Sequence, residues 1–263
     1  MTDTGNNLQR DFLNTLNSVS AHLQHLKEEG VQSVAADPET VRRLGTAAAP
    51  MPPSPAAAKP APREPAGQTL VGATPELKAI AAEVAACTKC PLHKQRTRTV
   101  PGQGSAKPEI MFIGEGPGYD EDQQGLAFVG RAGQLLTKII EAMGMTRDEV
   151  FIGNIVKCRP PENRKPLPDE MAACMPYLRA QIELLKPKVI IALGATAVQG
   201  LLQMETLGIT KLRGQWMSYK DIDLMPTFHP AYLLRNPAAK REVWEDMKAV
   251  LAKLGKEPPK RAK

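Results

Sequence analysis

Four short apolar runs, residues 109–113, 150–156, 188–193 and 224–228, punctuate the chain beyond its first hundred residues, and each has the length of a buried strand. The segments 131–144, 169–185, 195–203 and 238–254 instead repeat apolar residues at helical spacing. In the first of them Leu135, Leu136, Ile139 and Ile140 mark the face to be buried. Thr74-Pro75-Glu76-Leu77 has the form of a helix start, with proline at the first helical position. Alternation of strand and helix predicts a mostly parallel four-stranded central sheet covered on both faces, a three-layer α/β/α sandwich. Ligands of such sheets bind at the carboxyl ends of the strands.

The remainder of the chain is organised differently. Leu8, Phe12, Leu16, Val19, Leu23 and Leu26 form one narrow apolar seam over residues 6–29, which predicts a helix that packs on its own domain, binds a protein partner or self-associates. Residues 46–68 hold seven prolines and eight alanines. That composition buries too little apolar surface to offset chain entropy, so a stiff, disordered linker is expected. The predicted organisation is an N-terminal helical segment (1–45), a linker (46–73), a folded, monomeric domain (74–255) and a basic tail (256–263).

A net charge of +6 over 263 residues favours a polyanionic partner without naming one. No apolar run approaches the roughly 18 residues of a membrane helix, and the polar start is unlike a signal peptide, so the expected location is the cytoplasm. There disulfides are rare, and cysteines in sets tend to hold metal. The four cysteines are a Cys87-x-x-Cys90 pair with Cys158 and Cys174 far downstream. A zinc ribbon's double C-x-x-C is absent, and spacing alone leaves zinc, an iron–sulfur cluster and ordinary core thiols open.

The first strand empties into Gly114-Glu115-Gly116-Pro117-Gly118-Tyr119-Asp120-Glu121-Asp122, followed by Gly125-Leu126-Ala127-Phe128-Val129-Gly130-Arg131-Ala132-Gly133. Glycines let backbone approach a ligand closely, so the loop suits a pocket. Its acidity and the lack of a G-x-G-x-x-G or G-K-[ST] pattern argue against a phosphate cradle. Glu115, Asn154 and His229 all fall at or just beyond predicted strand ends.

These residues carry a resemblance. From about Cys87 to Leu251 the chain resembles the family 4 uracil-DNA glycosylases, the iron–sulfur-containing bacterial and archaeal type. The resemblance rests on Gly114-Glu115-Gly116-Pro117-Gly118 with Glu121-Asp122, Phe128-Val129-Gly130 with Ala132-Gly133, Asn154 through Pro166, His229-Pro230-Ala231 and the four cysteines. It implies one [4Fe-4S] cluster per chain on Cys87, Cys90, Cys158 and Cys174, with zinc as the alternative occupant. It also implies that Phe128 stacks on a uracil extruded from DNA, that Asn154 reads its Watson–Crick edge, that Glu121 stands near C5 to exclude thymine's methyl group and that the Glu115-Gly116 backbone contacts the base.

His229 would hydrogen-bond uracil O2 and stabilise the departing anion. Better-known uracil glycosylases carry an aspartate at the position of Gly116, so the water falls to Asn163 with Glu115 assisting, or a carboxylate steadies the cationic sugar. A tight-binding subclass has glutamine there, and no covalent trap is expected here. DNA phosphates are assigned to Arg159, Arg164, Lys165 and Arg235, and to Lys94, Arg96 and Arg98, with Leu233 or Leu234 either a wedge into the base stack or part of the core. The implied activity is hydrolytic removal of uracil from single- and double-stranded DNA, leaving an abasic site. The rival readings are a non-catalytic DNA-binding or assembly module with a structural metal site, and a glycosylase of broader lesion range.

Overall fold

Ile110–Gly114 (β3), Phe151–Asn154 (β4) and Val189–Leu193 (β5) are buried at every residue, as expected of parallel strands covered on both faces. The computed structural model describes residues 70–71, 74–204 and 208–259. With Ile222–Thr227 (β7) these strands run parallel in the order β4-β3-β5-β7. They are the four strands expected from the apolar runs.

The sheet is wider than that expectation. It has seven strands, in the order β1-β2-β4-β3-β5-β7-β6. Gln103–Ser105 (β2) pairs antiparallel with β4, Leu70–Val71 (β1) pairs parallel with β2, and Met217–Tyr219 (β6) pairs antiparallel with β7. These edge strands have only two or three residues, too few to show a period. The turn joining β6 to β7 is Lys220-Asp221, both residues at positive φ (46° and 65°), a two-residue hairpin made without the usual Asn-Gly signal. β1 also lies inside the segment assigned to the linker, so residues 70–71 of that segment join the sheet.

Alternate residues of each strand face opposite layers. Met111, Ile113, Ile190 and Ala192 pack with Pro75–Ala86 (α1), Pro168–Leu185 (α4) and Ala195–Leu202 (α5). Ile110, Phe112, Val189 and Ile191 pack with Arg131–Ala142 (α3) and Lys240–Lys253 (α8). The three-layer sandwich is therefore as expected. Thr74 caps α1, accepting the Leu77 N–H at 3.4 Å, with Pro75 at the first helical position.

Three short helices escaped the periodicity: Tyr119–Gln124 (α2), Ile209–Leu212 (α6) and Pro230–Arg235 (α7). The helix expected over 6–29 and the linker before residue 70 lie outside the described residues. Of the basic tail, Lys256 reaches back to form an ion pair with Glu109. Among the described residues no helix is long and apolar enough to cross a membrane.

Candidate active site

Register sets the site. Gly114 lies directly opposite Asn154 across β3 and β4, and Leu193 opposite Thr227 across β5 and β7, so four chains leave the sheet at one level. They enclose a cavity of about 640 Å³ whose wall includes Glu115, Gly116, Glu121, Phe128, Asn154, Asn163, Arg164, His229 and Arg235. The sequence expectation of a pocket at the carboxyl ends of the strands is met.

Phe128 is held in a backbone conformation that side chains other than glycine seldom adopt, with φ at +53°. Its surroundings over-determine it. Glu121 accepts the N–H groups of Val129 (2.8 Å), Gly130 (2.9 Å) and Gly118 (3.1 Å), closing the loop on itself. Gln103 accepts the Ala127 N–H at 3.0 Å, and Arg147 donates to the Ala127 carbonyl at 2.6 Å. A Cβ on residue 133 would come within 1.9 Å of the Phe128 carbonyl, so only glycine lets the loop lie against α3. Strain held by so many partners is the usual mark of a side chain aimed for function. Gln103 and Arg147 were not singled out from the sequence, because nothing in their local context marks them.

Asn154 ends β4, 1 % exposed, and its Oδ1 has no hydrogen-bond partner. An orphaned buried acceptor is costly and calls for an explanation. Here it lines the cavity, next to a gap left by Gly114, where a Cβ would meet Asn154 Oδ1 at 2.6 Å and Phe128 Cζ at 2.5 Å. Below it, Lys157 donates from Nζ to the Asn154 carbonyl (3.0 Å) and to Gln181 (2.8 Å). That ammonium is enclosed, and burial pushes its pKa down to about 8, opposed by the nearby Cys174.

His229 follows β7 and caps α7, its Nδ1 accepting the Ala231 N–H at 3.1 Å. Enclosure by protein, with the Arg235 cation adding to it, lowers its pKa from 6.5 to about 4. The imidazole is thus neutral at physiological pH with its proton on Nε2. Its ring centroid lies 5.6 Å from that of Phe128. Beneath, Asp246 is 2 % exposed, accepts from Thr227 at 2.6 Å and pairs with Arg213, whose guanidinium lies over Phe228 at 5.7 Å. This network anchors the residues just before His229. A sequence signal existed for it: Asp246 sits at helical spacing among Val243, Met247 and Val250, a carboxylate on an apolar face.

The remaining assignments divide. Glu115 and Gly116 line the cavity, and a Cβ at 116 would meet Val156 Cγ2 at 2.7 Å, so this backbone presses on its neighbour. Asn163, at φ +56°, also lines it, with Oδ1 accepting from Arg159 Nε at 2.8 Å. Arg164 forms a two-pronged pair with buried Glu170 (2.7 and 2.8 Å), and Lys165 donates to Gln199 at 3.0 Å. Arg96 donates to the Cys87 and Ala85 carbonyls and to Cys158 Sγ (3.3 Å), so it serves the thiols rather than an outer face. For Leu233 the wedge is corrected in favour of the core alternative: at 1 % exposed it packs with Phe228 and Val243, because the turn of α7 points it inward. Its neighbour Leu234 is 38 % exposed.

Cys87, Cys90, Cys158 and Cys174 are all free thiols, and all four line one cavity with Lys157, Arg96 and Tyr177. Two sulfurs already receive N–H donors: Cys174 from the Lys157 backbone (3.2 Å) and Cys158 from Arg96. The four span α1, the loop after β4, and α4.

Residues 101–248 match the model of the uracil DNA glycosylase superfamily. The chain is 48 % identical over 188 residues to a type-4 uracil-DNA glycosylase of Thermotoga maritima, covering 69 % of this chain and 97 % of the relative. It is 46 % identical over 192 residues to the type-4 enzyme of Saccharolobus solfataricus (69 % and 88 %) and 47 % identical over 182 residues to that of Sulfurisphaera tokodaii (66 % and 83 %). With a matched region that runs from just before β2 into α8 and takes in the whole cavity wall, the chain belongs to the uracil DNA glycosylase superfamily and, within it, to the type-4 uracil-DNA glycosylases.

Proposed function

We propose that this chain hydrolyses the N-glycosidic bond of deoxyuridine in single- and double-stranded DNA, releasing uracil and leaving an abasic site for base excision repair. One observation carries the reading: Phe128, Asn154 and His229 face a single cavity large enough for a flipped pyrimidine. A scaffold that only binds DNA has no use for an orphaned buried amide beside a neutral imidazole.

Bond cleavage leaves positive charge on the sugar and negative charge on the departing uracil. The Phe128 ring supplies a flat apolar face for the base. Asn154 offers Oδ1 to the uracil N3–H and its amide N–H to O4, a pairing that cytosine reverses. His229 offers Nε2–H to O2, where charge develops as the bond breaks, and a neutral donor fixed beforehand needs no reorganisation at that moment. Glu121, whose oxygens are engaged by the loop, holds Phe128 in place and lines the side assigned to uracil C5. Asn163, its amide oriented by Arg159, and Glu115 lie on the same cavity wall and are the groups that orient the attacking water or steady the sugar cation.

The thiol set fits a [4Fe-4S] cluster. Four free thiols share one cavity, an all-sulfur donor set of the kind such a cluster takes, with zinc as the alternative occupant. When bound, the cluster ties α1 to α4 and to the loop after β4, a structural role. Iron and sulfide found in stoichiometric amounts in the anaerobically purified protein support it; zinc in their place overturns it.

The activity is tested by incubating the purified protein with an end-labelled oligonucleotide holding one uracil and then treating with alkali. Strand scission at the uracil position, with free uracil in the supernatant, is the expected result. An intact strand refutes the reading. A parallel set with mismatched thymine, hypoxanthine or xanthine defines the lesion range.

A further inference from the structure

Tyr119 is the most exposed large apolar side chain among the described residues, at 59 %. It opens α2 immediately after Gly118, which lines the cavity, so the residue sits next to the cavity's edge. The ring is not loose. The Arg159 guanidinium carbon lies 5.1 Å from its centroid, and Arg159 is itself fixed by its 2.8 Å bond to Asn163, on the cavity wall. A planar cation behind an aromatic ring leaves the rest of that ring open to a second flat group.

Charge narrows what that group is. Of the three carboxylates of α2, Glu121 is taken by backbone N–H groups and buried Asp122 accepts the Thr97 N–H at 2.9 Å, while Asp120 stays exposed beside Tyr119. Three carboxylates in one short helix nevertheless disfavour a phosphate. A nucleobase has no such charge, and every base offers a face to stack. We propose that Tyr119, backed by Arg159, is a stacking platform for the base adjacent to the extruded uracil. This rests on the function proposed above and adds to it a subsite for the flanking nucleotide. Its contribution is greatest on single strands, where the flanking base has no paired duplex to leave.

The full-length protein is compared with its Tyr119→Ala and Tyr119→Trp variants on single-stranded oligonucleotides carrying one uracil. Each flanking position in turn holds either a normal base or an abasic spacer. Tyr119→Ala is expected to raise KM about tenfold on the normal substrate with kcat within about twofold, and Tyr119→Trp to restore it. With the spacer at the stacking flank, wild type and Tyr119→Ala become equal. An unchanged KM in Tyr119→Ala overturns the platform, as does a loss that persists with spacers at both flanks, which would mean that Tyr119 only shapes the loop. Absence of uracil release by the wild type would instead overturn the parent function, and the platform with it.

Discussion

Ala231 donates its backbone N–H to Nδ1 of His229 at 3.1 Å, and that one bond decides which ring nitrogen carries the proton facing the cavity. A neutral imidazole capping α7 in this way can only present Nε2–H outward. His229→Ala should therefore lower turnover roughly 100- to 1,000-fold with a much smaller effect on KM, the pattern of a donor that acts on the transition state. Single-turnover kinetics against the wild type check this.

The lowered pKa of His229, about 4 against 6.5, sets a pH dependence of definite sign. Between those values the unfolded chain takes up a proton that the folded chain refuses. This group's contribution to stability is thus constant above pH 6.5 and falls as pH drops toward 4. Turnover should show no loss near pH 6.5 from protonation of His229. Comparing melting temperatures of wild type and His229→Gln between pH 7 and pH 5 tests it: the wild type should lose more.

Asn154 holds a buried oxygen with no protein partner, so the folded protein carries a penalty that a hydrogen-bond donor on the ligand relieves. Asn154→Ala should reduce kcat/KM roughly 100-fold or more while leaving the melting temperature unchanged or raised. A large drop in stability would show that the amide serves the fold instead.

Gly114 is wedged between the groups that meet the base. Because an added Cβ would overlap Phe128 Cζ and Asn154 Oδ1, Gly114→Ala should cost about 1–3 kcal/mol of stability and lower kcat/KM at least about tenfold. Urea denaturation together with steady-state kinetics measures both effects.

Asp246 supports the site from behind. Its removal leaves Arg213 and the Thr227 hydroxyl without their shared acceptor, and Asp246→Ala should cost about 2–4 kcal/mol, the lower end reflecting the partial exposure of Arg213. Thermal melts followed by circular dichroism report this as a fall of several degrees.

The parallel core was legible because strands covered on both faces must be apolar throughout, as 189–193 and 110–113 are. The edge strands were not, since Gln103-Gly104-Ser105 has no period to read. Asn154 and His229 were legible through their motifs and their place at strand ends and Phe128 through its motif alone, and the three converge on one cavity. Charges were less legible because a side chain's type does not name its partner. Arg164 and Arg96 look alike in sequence to DNA contacts, yet one is held by Glu170 and the other by the thiol loop. Leu233 and Leu234 differ only in which way a single helical turn faces.

The convergence of imidazole and amide on one pyrimidine is tested most directly by titrating uracil into protein with isotope-labelled histidine and following the His229 Nε2–H resonance, assigned by its loss in His229→Gln. At neutral pH the resonance should be present in the free protein, move on uracil addition in the wild type, and stay still over the same range in Asn154→Ala. A His229 resonance that ignores uracil, or that moves equally in both proteins, would contradict a shared grip on the base.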